Sequence, residues 1–206
     1  MITIVDYNAG NLRSVKRACD AVNVEAVFAD HAAALLRAKK VIFPGVGAAK
    51  SAMELLNRTK MADALRTLVQ SGVPVMGICL GAQLILERSE EGDVECLGLL
   101  PGRVRRFQPQ DATLKVPHMG WNAVDAVQQH PLLASLRPGD EFYFVHSYYP
   151  DPASEQVVHG VADYGGRFCC ALGRDNLFAT QFHPEKSGQI GLEILKRFAS
   201  WDGSPC

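Results

Sequence analysis

Short β-branched runs alternate with helical-period stretches over the first half of the chain, and this alternation sets the fold expectation. Ile2 to Val5 is a compact apolar run. After DYNAGN, the segment LRSVKRACDAV carries Leu12, Val15, Cys19 and Val22 on one helical face. VEAVF (24–28), VIF (41–43) and VPVMGI (73–78) read as further buried strands, separated by Ala/Leu-rich helical stretches such as 62–69. Such an order predicts right-handed crossovers and a mostly parallel sheet covered by helices on both faces, an α/β fold.

From about Leu97 the pattern changes to short strands punctuated by Gly and Pro: VRRF, EFYFVHSYY, QVVHGVADY, FCCAL and LFATQFH. These predict hairpins. The closing SGQIGLEILKRFASW is helical again, with Ser187 as N-cap and Ile190, Ile194, Leu195 and Phe198 on one stripe. No linker, repeat or low-complexity tract separates the halves, so one domain over residues 1–206 is expected, with DGSPC frayed at the end.

Composition narrows the function classes. The 206 residues are 48% hydrophobic and 21% charged with a net charge of -1, an ordinary globular balance. A pI near 6.6 gives no electrostatic footprint for nucleic acid, leaving Arg103, Arg105 and Arg106 as local docking points only. No apolar run approaches the roughly 20 residues that span a bilayer, and MITIVDYN lacks a basic leader, so a cytoplasmic protein without membrane contact is expected. Six cysteines (Cys19, Cys79, Cys96, Cys169, Cys170, Cys206) show no C-x-x-C spacing. Neither a metal site nor a disulfide framework is indicated, and they read as thiols in a reducing compartment. The adjacent Cys169 and Cys170 are expected to pack on opposite faces of a strand.

Among those cysteines, Cys79 stands apart. In VPVMGICLGAQLILER it sits between Gly77 and Gly81, where an apolar strand runs into an amphipathic stretch. That is the form of a nucleophile elbow, a sharp strand-to-helix turn whose central side chain is exposed above the sheet edge. The helix N-terminus favours a thiolate there, and the Leu80 N–H faces a developing oxyanion. Leu80, Leu84 and Ile85 are expected to pack inward, with Glu87 and Arg88 on the solvated side of the same helix.

A cysteine nucleophile needs a base. His183 follows an apolar strand in ATQFHPEKSG, with Pro184 stiffening the turn and Glu185 two residues on. A carboxylate on one ring nitrogen fixes the tautomer while the other nitrogen serves the thiol, which makes a Cys79/His183/Glu185 triad. His31, His130 and His159 have no such setting and read as structural or solvated. His118 in PHMGWN and His146 in FVHSYY lie in polar-aromatic clusters that suit ligand contacts. Finally, VIFPGVG ends a strand in a flexible loop able to aim a second N–H, that of Gly47, at the oxyanion.

GICLGAQ, HPE and PGVG, in this chain, resemble the triad-type class I glutamine amidotransferases, and the similarity spans nearly the whole length. The resemblance implies a three-layer fold with a mostly parallel central sheet and added hairpins. More narrowly, PGVG, PHMGWN, FVHSYY and HPEKSG together resemble the glutaminase subunits of imidazole glycerol phosphate synthases. By that resemblance Cys79 attacks the amide of L-glutamine, His183 protonates the leaving ammonia and Glu185 orients His183. Gln83 and Glu91 contact the bound glutamine, the backbone around Ser147 and Tyr148 receives its α-carboxylate, and Gly45 and Gly47 belong to the oxyanion loop. No cofactor is implied. The ammonia passes to a (β/α)8-barrel cyclase in a heterodimer, with Trp121, Asn122, Tyr143 and Lys186 on the docking face. A cysteine α/β-hydrolase would share the elbow, but its acid precedes its histidine, whereas Glu185 follows. The remaining alternatives are a glutaminase subunit of pyridoxal phosphate, anthranilate or guanylate synthesis, or a non-catalytic regulatory subunit on the same fold.

Overall fold

The computed structural model describes residues 1–8, 11–111 and 113–204, so Cys206 lies outside the described residues. In the first half, strands and helices alternate as predicted: β1 (Ile2–Val5), α1 (Leu12–Ala21), β2 (Ala26–Ala29), α2 (Ala32–Leu35), β3 (Val41–Gly45), α3 (Ala49–Arg58), α4 (Met61–Gln70), β4 (Val75–Cys79) and α5 (Leu80–Leu84). The second half is strand-rich: β5 (Arg88–Ser89), β6 (Val94–Glu95), β7 (Gly102–Arg106), β8 (His118–Ala123), β9 (Asp125–Ala126), β10 (Glu141–His146), β11 (Tyr148–Pro152), β12 (Val158–Asp163), β13 (Arg167–Arg174) and β14 (Leu177–Thr180), closed by α6 (Gly188–Ser200).

The main sheet has the order β2-β1-β3-β4-β14-β13-β12-β9. Its first five strands are parallel, and the last three extend it antiparallel. The inner parallel strands are apolar because both faces are covered, whereas the edge strand β2, expected to be buried, leaves Val27 and Phe28 exposed. Along β3, Val41 and Phe43 enter one core while Ile42 enters the other, the two-residue alternation of a strand. Cys169 and Cys170 divide between the same two cores, as their adjacency predicted. Phe178 and Phe198 are fully buried in the second core, and burying each side chain contributes about 1.5–3 kcal/mol.

Three expectations about local structure are corrected. EFYFVHSYY is not one arm of a hairpin but breaks at Ser147: β10 pairs with β8, and β11 with β7. The Ser147 carbonyl accepts the Phe107 N–H at 3.0 Å, which turns the chain from one small sheet into the other. The helix after Cys79 ends at Leu84, and Glu87 and Arg88 lie beyond it. Glu87 is drawn away by Gly102, exchanging N–H to carbonyl at 3.1 Å and carboxylate to N–H at 2.9 Å. Ser187 stands at the N-cap of α6, but its hydroxyl makes no cap. It accepts the Tyr143 N–H at 3.0 Å and donates to the His183 carbonyl at 2.6 Å.

Candidate active site

Parallel pairing brings the carboxyl ends of β3, β4 and β14 to one level. Gly45 of β3 pairs with Cys79, and Thr180 of β14 pairs with Ile78, so Gln181 falls beside Cys79. His183 and Glu185 follow within five residues on a turn that Pro184 opens. Ligands collect outside the carboxyl ends of such strands because the loops there diverge.

Cys79 occupies φ +55° and ψ -107°, a conformation costing on the order of 1–3 kcal/mol and kept only when the surroundings impose it. Two glycines show how tight those surroundings are. A Cβ on Gly81 would collide with the Phe43 carbonyl of β3, so only glycine lets α5 press onto the sheet. A Cβ on Gly45 would strike the Tyr7 hydroxyl and lie 2.9 Å from the Leu80 Cβ. The elbow is therefore clamped from both sides. Its thiol is not exposed as expected: Cys79 is 6% accessible, at the floor of a cleft of about 290 Å³.

His183 is 3% exposed, and its Nδ1 lies 2.8 Å from Glu185 Oε1, the Glu185 side chain also being 3% exposed. His183 and Cys79 line the same cleft. Burial works against a charged imidazole, but hydrogen bonding to Cys79 and Glu185, with their charges, outweighs it and pushes the His183 pKa up to about 10. The charged imidazolium is thus favoured beside Cys79 at neutral pH. The other four described cysteines lack such a partner. Burial pushes Cys19 up to about 11 and Cys96 and Cys169 up to about 12, and Cys170 is raised as well.

The cleft wall is built from both halves of the chain. Gly47, Leu80, Gln83 and Glu91 line it from the first, and Ser147 and Tyr148 from the second. Gly47 has φ +92°, a conformation that suits glycine. Glu91 accepts the Ala49 N–H at 2.8 Å through Oε2, which ties the turn between β5 and β6 to the start of α3 and leaves Oε1 for the cleft. Gly45 lies behind the wall, against Tyr7 and Leu80.

His146 also lines the cleft, whereas His118 stands behind it, between Phe144 and Tyr164 with centroids 4.9 and 4.0 Å away. His130 stacks on Phe178 in the second core, His159 is buried and His31 is exposed beside Asp30. At the surface Met119 and Trp121 are exposed, Tyr143 packs edge-on to Trp121, and the Lys186 ammonium lies 5.5 Å from the Tyr143 centroid. A larger groove of about 850 Å³ lies elsewhere, and two of its three arginines are engaged, Arg88 with Asp93 and Arg105 with Asp151.

Two groups at this site escaped sequence reasoning. Gln181 is wholly buried with Nε2 3.7 Å from Cys79 Sγ, and Tyr7 is buried with its hydroxyl unpartnered. Burial and the nearby Cys79 hold the Tyr7 phenol well above the usual range. The signal for Gln181 was its polarity between the end of β14 and the apolar Phe182.

The family model for class-I glutamine amidotransferases matches residues 3–200. The chain belongs to that family. Among amidotransferase relatives, imidazole glycerol phosphate synthase subunit HisH of Chromobacterium violaceum is 47% identical, the match covering 98% of this chain and 99% of that protein. The HisH subunit of Syntrophotalea carbinolica is 48% identical, over 96% of this chain and 98% of the other. The PurLQS structure from Thermotoga maritima shares the amidotransferase fold at a TM-score of 0.73 with 17% identity, covering 97% of each chain.

Proposed function

We infer that the chain is the glutaminase subunit of an imidazole glycerol phosphate synthase, acting in histidine biosynthesis. The observation carrying this reading is the strained Cys79 elbow opposite an imidazole that Glu185 holds by Nδ1 at 2.8 Å. The thiolate of Cys79 adds to the side-chain carbonyl carbon of L-glutamine. The oxyanion that forms is met by the N–H groups of Leu80 and Gly47, each such donor supporting about 10²- to 10³-fold in rate. His183 Nε2 gives its proton to the departing nitrogen, releasing ammonia and leaving a glutamyl thioester. The same nitrogen takes a proton from water, whose oxygen displaces the sulfur to give glutamate and restore the thiolate. Glu185 holds the tautomer throughout. Gln83 and Glu91 take up the amino-acid end of the substrate from one side, and the backbone at Ser147 and Tyr148 its carboxylate from the other.

The acceptor is a (β/α)8-barrel cyclase that joins ammonia to the ribulosyl nucleotide PRFAR, giving imidazole glycerol phosphate and AICAR. Direct transfer keeps ammonia from becoming ammonium in water. The exposed Met119 and Trp121, with Tyr143 and Lys186 beside the cleft, support docking of that partner at this face. Residues 1–206 act as one amidotransferase domain in the cytoplasm, a reading supported by the absence, among the described residues, of any helix able to cross a membrane.

An electrophilic glutamine analogue should label Cys79 alone among the cysteines. In the complex, Cys79→Ala should abolish glutamine-dependent synthesis and leave ammonia-dependent synthesis intact. Labelling centred on Cys169 or Cys170 would overturn the assignment.

A further inference from the structure

One backbone carbonyl sets the polarity of the amides beside the nucleophile. The Tyr148 carbonyl oxygen accepts from Gln83 Nε2 at 2.9 Å and from His146 Nδ1 at 2.8 Å. A carbonyl only accepts, so both partners must present N–H to it. The Gln83 amide is thereby oriented with its nitrogen inward, and that nitrogen also reaches Gln181 Oε1 at 3.0 Å. Gln181 must then turn its own nitrogen the other way, where Nε2 lies 3.7 Å from Cys79 Sγ. The reversed Gln181 amide would set two NH₂ groups against each other and a carbonyl oxygen against sulfur.

On the other side, His146 carries its proton on Nδ1, and its Nε2 accepts from His118 Nδ1 at 2.9 Å. His118 Nε2 is left to accept from Asn122 Nδ2 at 3.3 Å. Every polar atom along this line is assigned from the single Tyr148 carbonyl.

We propose that Gln181 is a further functional residue of the glutaminase, donating Nε2–H to the Cys79 sulfur so as to hold it in line with His183 and favour the thiolate. The inference rests on the glutaminase reading and adds to it a group outside the triad and the glutamine contacts. A hydrogen bond to an ionised acceptor is roughly twice as strong as one between neutral groups, so a buried amide donor at sulfur stabilises thiolate over thiol. Gln181 is 0% exposed, and water does not compete for that bond. The titratable groups around the sulfur are His183, His146, Tyr148, Glu91 and Lys186 along the cleft and Tyr7 beneath it. All remain in the variants below.

The test is the pH profile of Cys79 alkylation by iodoacetamide, mapped by mass spectrometry, together with glutamate release by the full chain in complex with its cyclase. Gln181→Glu keeps an oxygen for Gln83 and removes the donor; Gln181→Leu removes both. In Gln181→Glu the alkylation inflection should move up by about one pH unit or more, and kcat should fall on the order of 10-fold with KM little changed. Gln181→Leu should show the same upward shift, with KM raised as well because Gln83 loses its partner. If Gln181→Leu fails to fold, the uncharged, near-isosteric Gln181→Met decides, because Gln181→Glu also adds a carboxylate that by itself opposes the thiolate. An unchanged inflection with kcat within about twofold of the parent in a folded variant overturns the inference. A parent complex that hydrolyses glutamine while the profiles coincide defeats the inference and spares the glutaminase reading. A parent that releases no glutamate defeats that reading, and the alkylation profile still decides whether Gln181 supports the thiolate.

Discussion

A histidine pair and a lone histidine lie at this site, and their neighbours send their pKa values in opposite directions although burial lowers all three. His118 and His146 share a 2.9 Å hydrogen bond, and with no carboxylate beside them burial lowers their pKa values to about 4 and about 3. They are neutral at pH 7. His183 is just as inaccessible, yet its pKa rises to about 10 once its hydrogen bonds to the thiol and to Glu185 are counted against burial. Desolvation alone therefore makes an uncharged spacer of a histidine, and a carboxylate with a thiolate is what turns the same ring into a standing acid. The site uses both kinds: the His118–His146 pair orders amides and carbonyls, and His183 moves protons.

The largest expected effect breaks the charged pair. His183→Ala should lower glutamine-dependent kcat by at least about 10⁴-fold while ammonia-dependent synthesis survives. An active His183→Ala beside an inactive His118→Ala would invert the comparison. Next in size is Glu185→Gln, which keeps the shape and removes the charge. Here kcat should fall by about 10²- to 10⁴-fold, leaving a measurable remainder, and the alkaline fall in activity should move below its parent position near pH 10 because the imidazolium has lost one of its supports. A profile that keeps its alkaline limb in place would remove Glu185 from the account.

The smallest effect concerns stability. A histidine with a depressed folded pKa stabilises the fold fully above pH 6.5 and less as pH falls toward its folded value. His118, His130 and His146 should each contribute a slope of about 1.4 kcal/mol per pH unit between about 6 and 4. His183 runs the other way: its stabilisation is complete below pH 6.5 and fades as pH rises through about 10. Replacing His130, stacked on Phe178 away from the cleft, as His130→Phe should flatten the acid slope by one proton equivalent and leave glutaminase activity in place. Urea unfolding across pH 4 to 8 measures this, and an unchanged slope would show that His130 is not neutral in the fold.

The parts legible in the sequence were those encoded within a few residues. Gly77, Cys79 and Gly81 announce a turn, and His183, Pro184 and Glu185 announce a held imidazole, because both depend on local spacing. Gln181 was not legible, since its place beside Cys79 depends on β14 pairing with β4 in one register across about a hundred residues. The length of α5 was misread for a related reason. LILER has helical spacing, but Gly102 captures Glu87 by two hydrogen bonds that no local pattern reveals. Ser187 has the residue type and position of an N-cap, yet a distant N–H on Tyr143 claims its hydroxyl and uses it to seat His183.

The insertion of β14 beside β4 has a consequence for the timing of activity in a growing polypeptide. Residues 79 and 183 are 104 positions apart, so β14 and the turn after it are made well after the elbow. At about 5–20 residues per second, the thiol waits on the order of 5–20 s without base, orienting acid or amide donor. A chain stalled during that interval, or clipped between β13 and β14, holds an inert cysteine and consumes no glutamine. Synthesis of the segment through Glu185 thus works as a safety catch on the nucleophile.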